Sequence, residues 1–140
     1  MDKAGAGVFI TSVLYNSLYM KVIIKKVTSS IRYSYLGLSK AFRLELSFRL
    51  EVYVAVIAVI TAALLPVTLI QKSYLISAVL LVLLVELMNT AIEQIVNCFG
   101  RNERSNTYGY IKDCGSGAVF LALCIAIIIW LAVVTDLFLI

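Results

Sequence analysis

Three long apolar runs dominate the chain, and each is long enough to cross a bilayer. They are Val52–Ile70, Tyr74 to about Val96, and Gly117 to about Ile140; roughly 20 consecutive apolar residues suffice to span the hydrocarbon layer. Only Gln71, Lys72 and Ser73 separate the first two, which predicts a tight antiparallel hairpin. Pro66 falls near the end of the first run, where a kink or early stop is tolerated. A different pattern precedes them. Ile31, Tyr35, Leu38, Phe42 and Leu46 recur at helical spacing, while Arg32, Lys40, Arg43 and Arg49 lie off that stripe. Such a segment predicts an amphipathic helix over about 31–50, lying in the membrane interface rather than crossing it. Residues 97–116, punctuated by Gly100, Gly109 and Gly115, read as a loop. The expected fold is all-α and integral to the membrane.

Composition sharpens this. The 140 residues are 62% hydrophobic and 14% charged, with a mean hydropathy of +1.00. Soluble domains are about 45–50% apolar and about 25% charged. Positive charge sets the expected orientation. Lys3, Lys21, Lys25, Lys26, Arg32, Lys40, Arg43 and Arg49 precede the first run, and Arg101, Arg104 and Lys112 lie between the second and third. The short turn holds Lys72 alone, so the N-terminus and the 97–116 loop are expected in the cytoplasm and the C-terminus outside. Residues 1–19 read as an N-terminal extension, with Met20 a candidate start of a working domain over 20–140. Three cysteines without a CxxC, and no histidine, speak against a structural zinc site.

Glu86, Asn89 and Glu93 carry the candidate chemistry. At i, i+3 and i+7 they share one helical face inside or at the end of an apolar run. An ionisable group at membrane depth costs about 2.5–3.5 kcal/mol on insertion scales, so it ordinarily faces protein or water and has a function. The plainer alternative is a packing role, with Glu86 hydrogen-bonded to a neighbour. Counted from Tyr74, Glu86 lies about 18 Å and Glu93 about 28 Å along the helix. Glu93 therefore reaches the aqueous edge, and Glu86 sits about 10 Å inside the acyl boundary. Glu45 and Glu51 are acidic residues in an otherwise basic segment, and Glu45 is expected to meet Glu93 at that edge. Two carboxylates plus substrate phosphates suffice to hold magnesium. Glu86 then suits a base acting on a hydroxyl presented from lipid, and Asn89 a group that orients a phosphate or carboxylate. No Walker A pattern exists. Lys112-Asp113, just before the third run, is expected at the same membrane level. Together these point to phosphoryl transfer at the water–lipid boundary.

The segments RYSYLGLSKAFRLELSFRLE (Arg32–Glu51), ELMNTAIEQIV (Glu86–Val96) and KDCGSGAV (Lys112–Val119) resemble the prokaryotic diacylglycerol kinases over nearly all of residues 20–134. That resemblance implies a homotrimeric helical bundle with three transmembrane helices, an N-terminal amphipathic helix and active sites shared between chains. It implies Mg(2+) as cofactor, ATP as phosphoryl donor, a lipid alcohol as acceptor, the bacterial inner membrane as location and no nucleic-acid partner. Glu86 would be the general base and touch the lipid hydroxyl. Glu45 and Glu93 would hold the metal and the ATP phosphates. Lys26, Tyr33, Lys112 and Asp113 match nucleotide-side positions, as does Glu103 with one extra loop residue allowed. Ser34, Phe48, Arg49, Glu51, Ser116 and Trp130 match the lipid side. Lys26 stands where an Arg is usual, Leu36 where a Lys is, Asn97 where an Asp is, and Arg104-Ser105 where Tyr-His is.

The activity expected is ATP-dependent phosphorylation of diacylglycerol to phosphatidic acid. An undecaprenol kinase is the alternative within the family, and the K-D-x-G-S form ending in Ser116 favours diacylglycerol. A non-catalytic membrane subunit, or a small transporter using Glu86 as a proton site, is the alternative outside it. That reading leaves Glu45, Glu93, Lys112 and Asp113 without a shared purpose.

Overall fold

A computed structural model describes residues 3–99 and 106–139, with side chains from residue 18 onward. Every element among the described residues is an α-helix: α1 (Lys3–Leu44), α2 (Leu46–Leu64), α3 (Leu69–Phe99) and α4 (Asn106–Leu139). Three are long and apolar enough to cross a membrane, namely α2, α3 and α4. The chain divides into two compact units, residues 1–39 and residues 40–140.

The first unit consists of α1 as far as Ser39. Its hydroxyls turn back onto their own helix, with Thr28 Oγ1 donating to Ile24 O at 2.9 Å and Ser34 Oγ to Ser30 O at 3.0 Å. Ile31, Tyr35 and Leu38, of the apolar stripe of the sequence, are exposed, as is Arg32 off it.

In the second unit α3 packs against α4 and α2. The buried positions of α3 are Leu75, Ala78, Val82, Glu86, Asn89 and Val96, and those of α4 are Gly115, Ala122, Ala126 and Val133. Steps of three, four and seven make a seam of the coiled-coil kind. Ala78, Val82, Ala122 and Ala126 form one buried cluster, and Ala62, Leu75 and Val133 another. Small residues prevail there because helices in lipid associate through close backbone approach rather than through water exclusion. Phe48, Ala55 and Ala62 bring α2 to the same core at steps of seven.

Four boundaries differ from the sequence expectation. The helix expected from about residue 31 is part of α1, which already begins at Lys3. The amphipathic helix does not run on to Leu50. It stops at Leu44, where Glu45 is extended (φ −107°, ψ 119°) and begins α2 without capping it through its side chain. Phe42 of α1 meets Tyr53 of α2 edge-on, ring centroids 5.9 Å apart, and this contact braces the bend.

The α2–α3 turn lies at residues 65–68, not at Gln71–Ser73. Pro66 has no N–H to donate and disfavours helical geometry at Leu65, so α2 ends there. Thr68 and Gln71 then start α3 as a capping box: Gln71 N donates to Thr68 Oγ1 at 3.3 Å, and Thr68 N to Gln71 Oε1 at 2.9 Å.

Residues 106–116 are helical rather than loop. Nothing there breaks a helix except glycine, which membrane helices tolerate.

Candidate active site

The four glutamates among the described residues of the second unit, Glu45, Glu51, Glu86 and Glu93, converge. Glu86, 4% exposed, and Asn89, 7% exposed, are the buried polar side chains of this unit's α3 seam. Glu45 and Glu93 both lie within electrostatic reach of Glu86, as does Glu51. Glu45 arrives because the chain bends at it. With no capping duty, its Oε1 accepts from Gln94 Nε2 at 2.6 Å, a bond joining the α1–α2 bend to the far end of α3. Asn89 Nδ2 donates to Glu93 Oε1 at 3.4 Å, and the same amide acts on the Glu86 carboxylate. Residues 86, 89 and 93 thus form a polar strip, with Glu45 docked beside it in the same chain.

This strip is rich in negative charge and poor in compensation. Among the described residues none of the four carboxylates has a Lys or Arg partner at ion-pair distance. One oxygen each of Glu45 and Glu93 is taken by an amide, which leaves the other oxygen of each for a cation. No group of three or more potential ligands among the described residues could hold a metal by itself. Two carboxylates are nevertheless what magnesium asks of a protein when phosphates supply the remainder. The donor set therefore fits a metal–nucleotide complex better than a resident ion.

Glu51 opens onto a different environment. It lines an apolar cavity of about 540 Å³ between α2, α3 and α4, together with Leu50, Val54, Val79, Leu83, Leu123, Ile127 and Trp130. Its Oε2 is buried without a hydrogen-bond partner. The cavity begins beside the carboxylate cluster and continues along apolar side chains. An acyl or prenyl chain fits such a lining.

The remaining candidates fall into distinct places. Lys112 Nζ donates to Asn97 Oδ1 at 2.7 Å, linking α4 to the end of α3, and Asp113 beside it is exposed. Arg49 is half-buried, Phe48 is packed inside the core, Ser116 is exposed, and Trp130 joins Glu51 in the apolar cavity. Lys26, Tyr33 and Ser34 are exposed on α1 within the first unit. Glu103, Arg104 and Ser105 lie outside the described residues. Sequence reasoning missed Gln94, although it stands next to Glu93 and is polar on a largely apolar helix. It also took Gly115 for loop punctuation, whereas Gly115 is buried in α4 against Asn89.

A three-span helical bundle with a carboxylate cluster, and an apolar cavity lined by Glu51, defines the class of integral membrane proteins. The sequence profile described as Prokaryotic diacylglycerol kinase matches residues 32–134. The diacylglycerol kinase of Haemophilus influenzae is 40% identical over 113 residues, covering 81% of this chain and 95% of that protein. That of Escherichia coli K12 is 39% identical over 105 residues, covering 75% and 85% respectively. That of Pseudomonas aeruginosa is 36% identical over 107 residues, covering 76% and 86%. The chain belongs to the prokaryotic diacylglycerol kinase family.

Proposed function

We propose that this chain transfers the γ-phosphoryl group of ATP to the hydroxyl of diacylglycerol, giving phosphatidic acid at the cytoplasmic face of the bacterial inner membrane. The observation that carries the reading is the meeting of Glu45, Glu86, Asn89 and Glu93, with Glu51, itself within electrostatic reach of Glu86, lining an apolar cavity. Glu86 is the general base: it takes the proton of the lipid hydroxyl, whose oxygen forms the new bond to the γ-phosphorus as the bond to ADP breaks. Glu45 and Glu93 are the residues that would hold magnesium with the nucleotide, and the ion would supply charge neutralisation for the transferring group. Asn89 keeps Glu93 and Glu86 in register, and Lys112 and Asp113 serve the nucleotide side with Lys26, Tyr33 and Glu103. Glu51 and Trp130 flank the lipid, with Ser34, Phe48, Arg49 and Ser116 as further lipid-side positions.

Family resemblance supports a homotrimer in which neighbouring chains complete the site. Orientation rests on the positive charges before α2 and between α3 and α4. The deciding experiment supplies the purified protein with Mg-ATP and either diacylglycerol or undecaprenol in mixed micelles. Phosphatidic acid as the dominant product is expected. Undecaprenyl phosphate as the dominant product would move the assignment to the other lipid, and no phosphorylated lipid would overturn it.

A further inference from the structure

The glycines of the described residues are not alike. Adding a side-chain carbon at Gly37, Gly109 or Gly117 would meet nothing within 4 Å. At Gly115 the same carbon would collide with Asn89 Oδ1 and lie 3.3 Å from Asn89 Cγ. Gly115 is buried, sits inside α4 and has no positive φ. Its backbone conformation is open to any residue, and alanine would suit the helix better. What requires glycine is the close approach of Asn89.

Asn89 in turn depends on that approach. It is buried, and its 3.4 Å bond to Glu93 is too long to fix the amide by itself. Its Oδ1 is buried without a hydrogen-bond partner and rests against the bare Cα of Gly115. With the oxygen seated on α4, the amide nitrogen points back along α3 to Glu93, one turn on, and bears on Glu86, one turn before. A methyl group at position 115 would push the oxygen away and swing the nitrogen off the carboxylates.

We infer that Gly115 is a positioning residue for phosphoryl transfer: its missing side chain seats the Asn89 amide between Glu86 and Glu93. Gly115 touches neither reactant and acts through Asn89 alone. The inference rests on the proposed kinase activity.

The test compares the wild-type chain, Gly115→Ala, Asn89→Ser and the Gly115→Ala/Asn89→Ser pair, assayed with Mg-ATP and diacylglycerol in micelles. Serine keeps a hydrogen-bond donor at position 89 and leaves room for the methyl group. Gly115→Ala is expected to lower kcat by about tenfold or more and to raise the magnesium requirement, with the lipid KM within about twofold of wild type. The pair is expected to match Asn89→Ser within about twofold, because the methyl group has nothing left to displace. A pair that falls below Asn89→Ser by the factor separating Gly115→Ala from wild type would overturn the inference. Should Gly115→Ala alone fail to fold, Asn89→Ser against the pair still decides. A pair that folds and works like Asn89→Ser upholds the role, and a pair that fails to fold refutes it. Turnover in the wild type with independent losses would overturn the role of Gly115 and leave the kinase reading standing. No turnover in the wild type would overturn both.

Discussion

The two ends of α3 both carry polar side chains and treat them in opposite ways. At the start of α3, Thr68 and Gln71 satisfy each other, Gln71 Nε2 donates to Asp136 Oδ2 of α4 at 2.7 Å, and Lys72 Nζ donates to Ala63 O at 2.6 Å. Each contact closes a backbone or side-chain group left open where the chain turns. In the second half of α3, Glu86, Asn89 and Glu93 lie among carboxylates, and Asn89 Oδ1 and Glu51 Oε2 are buried without partners. Buried polar groups in folded proteins are nearly all hydrogen-bonded, so an exception asks for an explanation. The first cluster holds the helices together. The second leaves buried oxygens without partners, as the proposed site would before its reactants bind.

That contrast predicts where mutation strikes activity and where it strikes stability. Removing both Glu45 and Glu93, as glutamine, is expected to abolish magnesium-dependent turnover. Each single change should raise the magnesium requirement by about tenfold, which corresponds to roughly 1.4 kcal/mol of lost binding. Because the second change removes the last carboxylate ligand, the double variant should lose more than the sum of the singles. Independent effects in a magnesium titration would mean that Glu45 and Glu93 serve separate sites.

A smaller effect is expected in the apolar cavity. Ala58, which lines it, can be enlarged without touching the carboxylates. Ala58→Phe should raise the KM for diacylglycerol severalfold and leave the KM for ATP unchanged. Equal changes in both constants would show that the cavity is not the lipid's path.

The smallest effect on turnover belongs to the outer end. Gln71→Ala removes half of the capping box and the bond to Asp136, a loss of about 1–2 kcal/mol of stability. Activity per folded protein should stay within about twofold. Thermal unfolding in detergent, measured beside turnover, checks this, and a tenfold fall in turnover with unchanged stability would erase the distinction between the two ends.

Much of this was legible in the sequence because apolar runs and helical periodicity are local signals. The three spans, and the face shared by Glu86, Asn89 and Glu93, follow from spacing alone. The turn was displaced because Gln71, Lys72 and Ser73 are polar, and polarity suggested a loop. The Thr68–Gln71 spacing that starts the helix was the better guide. The break at Glu45 had no Gly or Pro to mark it, and its partner Gln94 is 49 residues away. Gly115 was misread for the same reason, since what it does is visible only once α3 and α4 are side by side. Spacing reports which residues share a face, and packing decides what that face meets.

The proposed reaction turns on the buried carboxylate of Glu86 taking the proton of the lipid hydroxyl. Glu86→Gln keeps the size and a hydrogen-bonding group but cannot accept that proton. The direct measurement follows phosphate transfer from γ-labelled ATP to diacylglycerol by this variant, beside its assembly and thermal unfolding in detergent. Label transfer is expected to fall by about 100-fold or more while assembly and unfolding match the wild type. Label transfer near the wild-type rate, or loss of assembly in place of transfer, would contradict that role for Glu86.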